Sequence, residues 1–358
     1  MPFVLTPFKR DLQFKFQART SRGAMHVHQA CYLRLHHTRQ PEKVGWGEGS
    51  PLPGLSLDYS PDFFAVLQNL CQQYNDLQVE SIDQEDGEEF WQKLKHWPSV
   101  CFAWETAWVD LLRGGQRHLY DNAFAKGQKS IKINGLIWMG EPNFMREQIT
   151  KKMEQGFTCL KLKIGALDFA QEIKLLREIR SFAPAQDLEI RLDANGAFAA
   201  ANAEEKIRQL AAFDIHSLEQ PIQPGQWNEM CELCEVSPIP IALDEEMIGV
   251  MNKEEKWNML NTIRPPYIIL KPTLVGGLFN AREWIQVAQS LGIDWWVTSA
   301  LESNIGLNAV AQFAGDFDNP LPQGLGTGQL YVNNLEAPLE VRGEDLWFDP
   351  NGSWELPA

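Results

Sequence analysis

The stretch EIRLDANG, residues 189–196, has the pattern that decides the fold: an apolar run ends on Asp193 and small, turn-forming residues follow. Two later stretches repeat it, with Glu219 in HSLEQPI and Asp244 in IPIALDE. These acidic residues are 26 and 25 residues apart, about the length of one strand and one crossover helix. In a parallel barrel the carboxyl ends of the strands meet on one face, so this spacing predicts three carboxylates around one point.

Three carboxylates held this close repel one another, and a hard cation bound through oxygen relieves the repulsion. We therefore predict that Asp193, Glu219 and Asp244 bind Mg²⁺, with Mn²⁺ as the alternative ion. Asn195 comes two residues after Asp193 and is expected to support this group through a hydrogen bond.

Three lysines occupy strand positions on either side of the acidic residues. In CLKLKIG, residues 159–165, Lys161 and Lys163 alternate with apolar residues and therefore point the same way, toward the carboxylates. Lys271 ends the run YIILKP, 27 residues after Asp244. A lone K-x-K is usually a solvated strand edge, but in register with three carboxylates it indicates a catalytic group.

Strand-like and helix-like segments alternate from residue 130 onward, and eight strands can be counted up to QGLGTG at residues 323–328. This order is typical of an α/β barrel, a modified TIM barrel with parallel strands and crossover helices. Candidate functional residues lie at the ends of five or more strands. A doubly wound sheet would gather them at one topological switch point, so the pattern favours a barrel.

The chain outside the barrel has a different pattern. Residues 1–40 show period-two alternation and residues 60–115 show helical periodicity, which together predict an α+β N-terminal capping domain over residues 1–125. The barrel is expected over residues 126–328. Residues 329–358 are expected to form strands that return to the cap and complete it.

The order K-x-K, D-x-N, E-Q-P, D-E and K-P resembles the enolase superfamily, in its muconate-lactonizing-like subgroup. The resemblance covers nearly the whole chain, because VGWGEGSPLPG at residues 44–54 is similar to the second active-site loop of that family's capping domain. It implies removal of a proton α to a carboxylate. It further implies a lyase reaction of menaquinone biosynthesis, the loss of water from a hydroxycyclohexadiene dicarboxylate.

This chemistry needs electrostatic stabilisation of the enediolate that forms, which a divalent metal supplies. Lys163 is predicted to be the base, and Lys161 beside it would favour its neutral form. Lys271, across the site, would place positive charge over the enolate ring. Arg191 points the same way as Asp193, and the sequence leaves open whether it contacts substrate or forms an ion pair with the carboxylates inside the barrel.

By their positions in the family pattern, Thr298, Ser299 and Gly324 are expected to bind the second carboxylate of the substrate. They end the seventh and eighth strands, whose following loops often bind anions in barrels. Two cap loops, residues 19–25 and 46–54, are expected to add specificity.

Dipeptide epimerases and N-acylamino acid racemases of the family use the same lysines and metal ligands, so these residues alone leave both functions open. Asp316-Phe317-Asp318 resembles the D-x-D motif that holds a dipeptide ammonium in the epimerases. Counted from Gly306, it comes about eight residues too early, and QGLGTG occupies the strand end. A noncatalytic scaffold barrel would be expected to lose some of the six charged site residues, yet all six are present.

The composition suits one large enzyme, with 358 residues that are 44% hydrophobic and 22% charged. A net charge of −15 disfavours nucleic acid and anionic membranes as partners. The expected substrate is a small anionic molecule, for which the metal and the lysines provide local positive charge. With no targeting or membrane-spanning segment recognised and six cysteines consistent with reduced thiols, a cytoplasmic protein is expected. Monomer and homo-oligomer both remain open.

Overall fold

The computed structural model describes residues 2–20, 23–80, 90, 93–138, 140–165 and 168–357. Within them the chain forms an antiparallel sheet covered by helices, followed by a curled parallel sheet with helices outside it. This confirms the predicted fold class, an α/β barrel with an α+β cap. In the described part of the chain, no helix has both the length and the apolar character needed to cross a bilayer.

The cap contains a three-stranded antiparallel sheet, with strands in the order β1 (Phe3–Thr20), β2 (Gly23–His37) and β3 (Gln40–Glu48). Helices α1 (Phe63–Asp76) and α2 (Pro98–Leu112) pack on it. Helix α1 buries one apolar face, whereas α2 is buried over most of its length because it lies between the cap sheet and the barrel helices. Helix α2 therefore joins the two parts of the molecule.

The barrel strands run parallel and follow one another around the sheet in chain order. After a two-residue strand, β4 (Ile131–Lys132), they are β5 (Gly135–Ile137), β6 (Cys159–Lys163), β7 (Glu189–Asp193), β8 (Ile215–Glu219), β9 (Ile241–Leu243), β10 (Tyr267–Leu270) and β11 (Asp294–Val297). Nearly all of their residues are buried, as expected for a parallel sheet covered on both faces.

The eighth barrel position is shorter than the predicted strand. Only Gln323 and Gly324 occupy it, and they bridge Ile133 on one side and Thr298 on the other. The amide of Gln323 donates to Lys132 O (2.8 Å) and that of Gly324 donates to Val297 O (2.8 Å), which closes the barrel between its first and last strands.

Helices follow the strands on the outside of the barrel. They are α3 (Pro142–Glu154), α4 (Phe169–Phe182), α5 (Ala200–Leu210), α6 (Trp227–Val236), α7 (Lys253–Ile263), α8 (Pro272–Val275), α9 (Leu278–Ser290) and α10 (Asn304–Ala314). Three short 3₁₀ turns complete the described helical structure, at Ala211–Phe213, Glu245–Met247 and Gly326–Gln329. The second lies in the irregular crossover that follows β9.

The C-terminal segment differs in part from the prediction. Its two strands, β12 (Leu339–Arg342) and β13 (Asp345–Phe348), pair antiparallel with β4 beneath the barrel and not with the cap sheet. The return to the cap is made instead by residues 330–333, where Lys15 N donates to Leu330 O at 2.9 Å. Pairing with β4 satisfies backbone groups at the lower edge of the first strand. The proposed boundaries at residues 125 and 328 remain predictions.

Candidate active site

The strand register brings the predicted acidic and basic residues to one level of the barrel. Lys163 on β6 is aligned with Asp193 on β7, and Asp193 is aligned with Glu219 on β8. Asp244 and Lys271 follow the last residues of β9 and β10. All five therefore lie at the carboxyl ends of consecutive parallel strands, the face of a barrel on which active sites are built.

Each lysine forms an ion pair with these carboxylates. Lys161 Nζ lies 3.0 Å from Asp193 Oδ2 and 2.5 Å from Glu219 Oε2. Lys163 Nζ lies 2.8 Å from Asp193 Oδ2, and Lys271 donates to Asp244 Oδ2. The site is thus a compact cluster of buried opposite charges.

Asn195 links several of these groups, as its position after Asp193 suggested. Its backbone N–H donates to Asp193 Oδ1 (3.1 Å), and its side-chain oxygen accepts a hydrogen bond from Lys163 Nζ (2.8 Å). Its amide nitrogen donates to Glu245 Oε1 (2.9 Å). Because these bonds restrain both Asp193 and Lys163, Asn195 sets the orientation of a carboxylate and an amine together.

Burial and neighbouring charges shift the pKa values of the residues in this cluster, and the net direction differs from residue to residue. Burial raises the pKa of Asp193, but Lys161 and Lys163 together bring it below its usual range. Burial and the charge of Asp193 raise the pKa of Glu219 well above its usual value. Burial lowers the pKa of Lys161, yet the attraction of Asp193 and Glu219 outweighs it and raises that pKa. Nearby positive charge therefore stabilises the ionised forms of Asp193 and Glu219.

The donor set fits a hard divalent cation. Among the described residues, no three acidic, histidine or cysteine side chains are gathered tightly enough to ligate one ion, and Asp193 and Asp244 are held by lysines. However, Glu219 Oε1 is buried without a hydrogen-bond partner, with Lys271 Nζ 3.8 Å away. Asp193, Glu219 and Asp244 offer only oxygen, the donor that Mg²⁺ prefers.

A cavity of about 100 Å³ opens above the charged cluster. Of the predicted site residues, the following line it: Lys161, Lys163, Asn195, Lys271, Thr298, Ser299 and Gly324. Sequence reasoning did not name the remaining lining residues individually, which are Leu52, Leu55, Asn134, Leu136, Trp138, Ala300, Leu301, Gly326 and Thr327. Trp138 directly follows the first barrel strand, so the rule that functional residues follow strand ends offered a signal for it.

The cap contributes an apolar wall to this cavity. Leu52 belongs to the loop at residues 46–54 that was expected to add specificity, and Leu55 follows it. The other expected loop, residues 19–25, falls partly outside the described residues at positions 21–22, and the side chains of residues 19 and 20 do as well. Its contribution remains a prediction.

Arg191 corrects the sequence analysis, because its side chain does not line the cavity. It is 2% exposed, its Nε lies 2.8 Å from Glu189 Oε1, and its Nη1 donates to Pro322 O at 2.8 Å. The guanidinium also lies 4.3 Å from the centre of the Trp296 ring. These partners lie one layer deeper in the barrel, so the structure favours an interior ion pair over substrate contact, with Glu189 as the partner in place of the expected site carboxylates.

The acidic pair that resembles an epimerase motif lies away from the cavity. Asp316 Oδ2 pairs with Arg282 Nη2 (2.6 Å), and Asp318 Oδ1 pairs with Lys129 Nζ (3.0 Å). The side chain of Asp318 is 97% exposed. Neither carboxylate is placed to hold a substrate ammonium in the cavity.

Comparison with known proteins agrees with this geometry. Residues 144–345 match the family model described as enolase C-terminal domain-like. The chain belongs to the enolase superfamily. It is 45% identical to an o-succinylbenzoate synthase of Desulfotalea psychrophila, over 94% of this chain and 96% of that protein.

Two solved structures show the same architecture. The crystal structure of MenC from Desulfotalea psychrophila superposes with a TM-score of 0.83 at 42% identity, covering 97% of this chain and all (100%) of that one. A dipeptide epimerase from Enterococcus faecalis, complexed with Mg and the dipeptide L-Leu-L-Tyr, has a TM-score of 0.83 at 19% identity, covering 100% and 99%. The second likeness shows the fold alone.

Proposed function

We propose that this chain is an o-succinylbenzoate synthase, a hydro-lyase that removes water from a hydroxycyclohexadiene dicarboxylate in menaquinone biosynthesis. The observation that carries the proposal is the placement of lysines on two sides of one cavity, Lys163 from β6 and Lys271 after β10, with carboxylates between them. The synthase at 45% identity over nearly the whole chain supports this choice of reaction.

Asp193, Glu219 and Asp244 would hold Mg²⁺, with Mn²⁺ as the alternative. The metal would supply positive charge to the substrate carboxylate, which makes its α-proton easier to remove. Glu219 Oε1, which accepts no hydrogen bond from the described residues, and the all-oxygen donor set support this assignment. Asn195 would keep Asp193 oriented through its backbone N–H.

Lys163 would carry the proton. Its amine takes the proton from the α-carbon, the bond from the ring to the hydroxyl oxygen breaks, and the same proton leaves with that oxygen as water. Both transfers occur on one face of the ring, which one flexible amine can reach. Lys161, two residues earlier, pairs with Asp193 and Glu219 and so holds these carboxylates beside Lys163. Lys271 would stabilise the negative charge that develops on the ring.

Racemisation of N-acylamino acids is the second candidate. Lysines on two sides of a cavity are also what removal of a proton from one face and its return to the other would need. Dipeptide epimerisation is disfavoured, since Asp316 and Asp318 pair with surface cations and the lining residues of the cavity include no acidic side chain to hold an ammonium within the described chain. A noncatalytic scaffold does not account for the buried charges.

One assay series separates these functions. We would measure kcat/KM for the cyclohexadiene dicarboxylate, an Ala-Glu dipeptide and N-succinyl amino acids with the same Mg²⁺-loaded protein. The proposal requires the dicarboxylate to be the best substrate by a wide margin. Faster turnover of either competitor would overturn it.

The expected partner is the small anionic substrate, which the lysines of the cavity would attract. A cytoplasmic location is part of the same proposal. The net charge of −15 argues against nucleic acid and anionic membrane surfaces as partners.

A further inference from the structure

Most polar groups of the cavity wall already have partners within the protein. The hydroxyl of Ser299 donates to Glu302 Oε2 at 2.5 Å and accepts from Thr327 Oγ1 at 2.6 Å and from Leu301 N at 3.2 Å. A hydroxyl has one proton to donate, so the protons of Ser299 and Thr327 are both committed. Neither can donate to a substrate without breaking a buried bond.

Gly324 is committed in the same way. Its N–H donates to Val297 O (2.8 Å), and its carbonyl accepts from Ser299 N (3.0 Å), which closes the barrel. A Cβ at this position would lie 2.5 Å from Thr298 Oγ1, so glycine makes room for the threonine side chain. Of the three residues expected to bind the second carboxylate, Thr298 alone retains an unused side-chain donor in the described structure.

Two fully buried side-chain donors at the cavity wall have no partner among the described residues, the hydroxyl of Thr298 and the indole N–H of Trp138. These residues are 8% and 3% exposed, so bulk water does not satisfy them. The indole ring packs against Phe14 and Phe16, with ring centres 6.3 and 5.5 Å away, and neither ring offers an oxygen acceptor. A buried donor without a partner is unfavourable, so a ligand that supplies an acceptor there gains affinity.

The two donors lie on the side of the barrel opposite the acidic residues. Thr298 follows β11 and Trp138 follows β5, and only the short eighth position separates these strands. Asp193, Glu219 and Asp244 come from β7 to β9, about half a turn around the sheet. A substrate whose reacting carboxylate lies at the acidic side therefore extends its far end toward Thr298 and Trp138.

We propose that the indole N–H of Trp138, together with the hydroxyl of Thr298, binds the second carboxylate of a dicarboxylate substrate. This inference rests on the proposed function and deepens it, because it names the residues that would select a dianion over a monoanion. Asn134 Oδ1, the other unsatisfied side-chain atom among the lining residues named above, is an acceptor and is not assigned to an anion.

Calorimetric titration of the Mg²⁺-loaded protein tests this directly. The probes are o-succinylbenzoate and 2-butanoylbenzoate, which differ only in that a methyl group replaces the far carboxylate. Trp138→Phe removes the N–H and keeps an aromatic ring, while Thr298→Val removes the hydroxyl at nearly constant volume. Each variant should weaken o-succinylbenzoate binding about ten- to hundredfold and change 2-butanoylbenzoate binding by less than about twofold.

If Trp138 had a purely structural role, Trp138→Phe would weaken the binding of both probes equally, and that result would overturn the inference. Thr298→Val provides a second, smaller perturbation if Trp138→Phe folds poorly, and unchanged preference in that variant would also overturn it. Equal affinity of the wild type for the two probes would do the same. If the wild type prefers o-succinylbenzoate in the predicted way but does not dehydrate the cyclohexadiene substrate, the subsite stands and the proposed function fails.

Discussion

Glu48 accepts two hydrogen bonds from Ser303, one from the backbone N–H at 2.7 Å and one from the hydroxyl at 2.5 Å. Its carboxylate also accepts from Gly306 N (2.8 Å) and Ser50 Oγ (2.8 Å). Glu48 ends the last cap strand, and Ser303 is the residue before barrel helix α10. One buried side chain thus joins the cap to the barrel, next to the loop that supplies Leu52 to the cavity.

Removing this carboxylate should separate the cap loop from the barrel. We expect Glu48→Ala to lower the free energy of unfolding by about 1–3 kcal/mol for each buried donor left unpaired. Urea denaturation measures the change. Glu42→Ala, an exposed position on the same strand, is the control and should change stability by less than about 0.5 kcal/mol. Equal stability of the two variants would contradict this role.

Glu105 should make stability depend on pH. Its Oε2 accepts from the backbone N–H groups of Leu278 (2.5 Å) and Phe279 (3.3 Å) at the start of helix α9, and burial raises its pKa to about 8. The folded protein then holds this proton more tightly than the unfolded chain, whose pKa is near 4.5. The corresponding stability is complete below about pH 4.5 and is lost as pH rises through 8.

Glu105→Gln tests this dependence, because the amide oxygen can accept the same two hydrogen bonds but does not titrate. Between pH 5 and pH 8.5, the wild type should lose more stability than the variant in urea titrations. Parallel stability profiles for the two proteins would show that Glu105 does not titrate in this range.

Lys163→Ala should abolish dehydration and leave the fold intact. A general base contributes about 10²–10⁴-fold, so more than about a tenth of wild-type turnover would rule out this role. Lys271→Ala should be nearly as damaging if its charge stabilises the developing enolate. Lys174→Ala, an exposed position on helix α4, should retain full activity. Turnover is measured alongside circular dichroism, so that loss of fold is recognised.

Mg²⁺ binding should depend on the side chain of Glu219. Glu219→Gln removes one negative charge from the cluster, and we expect at least a roughly tenfold weaker affinity, the smallest loss typical of residues that support a metal site. Titration calorimetry with MgCl₂ measures it, and Glu229→Gln on the exposed face of helix α6 is the control. In magnesium-soaked crystals the metal–oxygen distances should be about 2.0–2.1 Å. Full activity after exhaustive chelation would refute the metal requirement.

The outcome for Arg191 shows where sequence reasoning reaches its limit. Alternation along β7 correctly placed its side chain inside the barrel with that of Asp193. The contacts of the Arg191 side chain were decided by Glu189, Pro322 and Trp296. Pro322 and Trp296 lie more than 100 residues from Arg191 in the chain. Strand periodicity gives a direction, but it does not give the partner.

By itself, the sequence determined the barrel, the cap and the level at which lysines and carboxylates meet. Strand alternation and repeat spacing are local properties of the sequence, and in a parallel barrel they bring the strand-end residues to one shared face. Only the tertiary structure decided which polar groups remain available. Ser299 and Gly324 are already committed to buried partners, whereas Thr298 and Trp138 are not. Hydrogen-bond partners are chosen among residues distant in the chain, and a donor that is already satisfied gains little from a ligand.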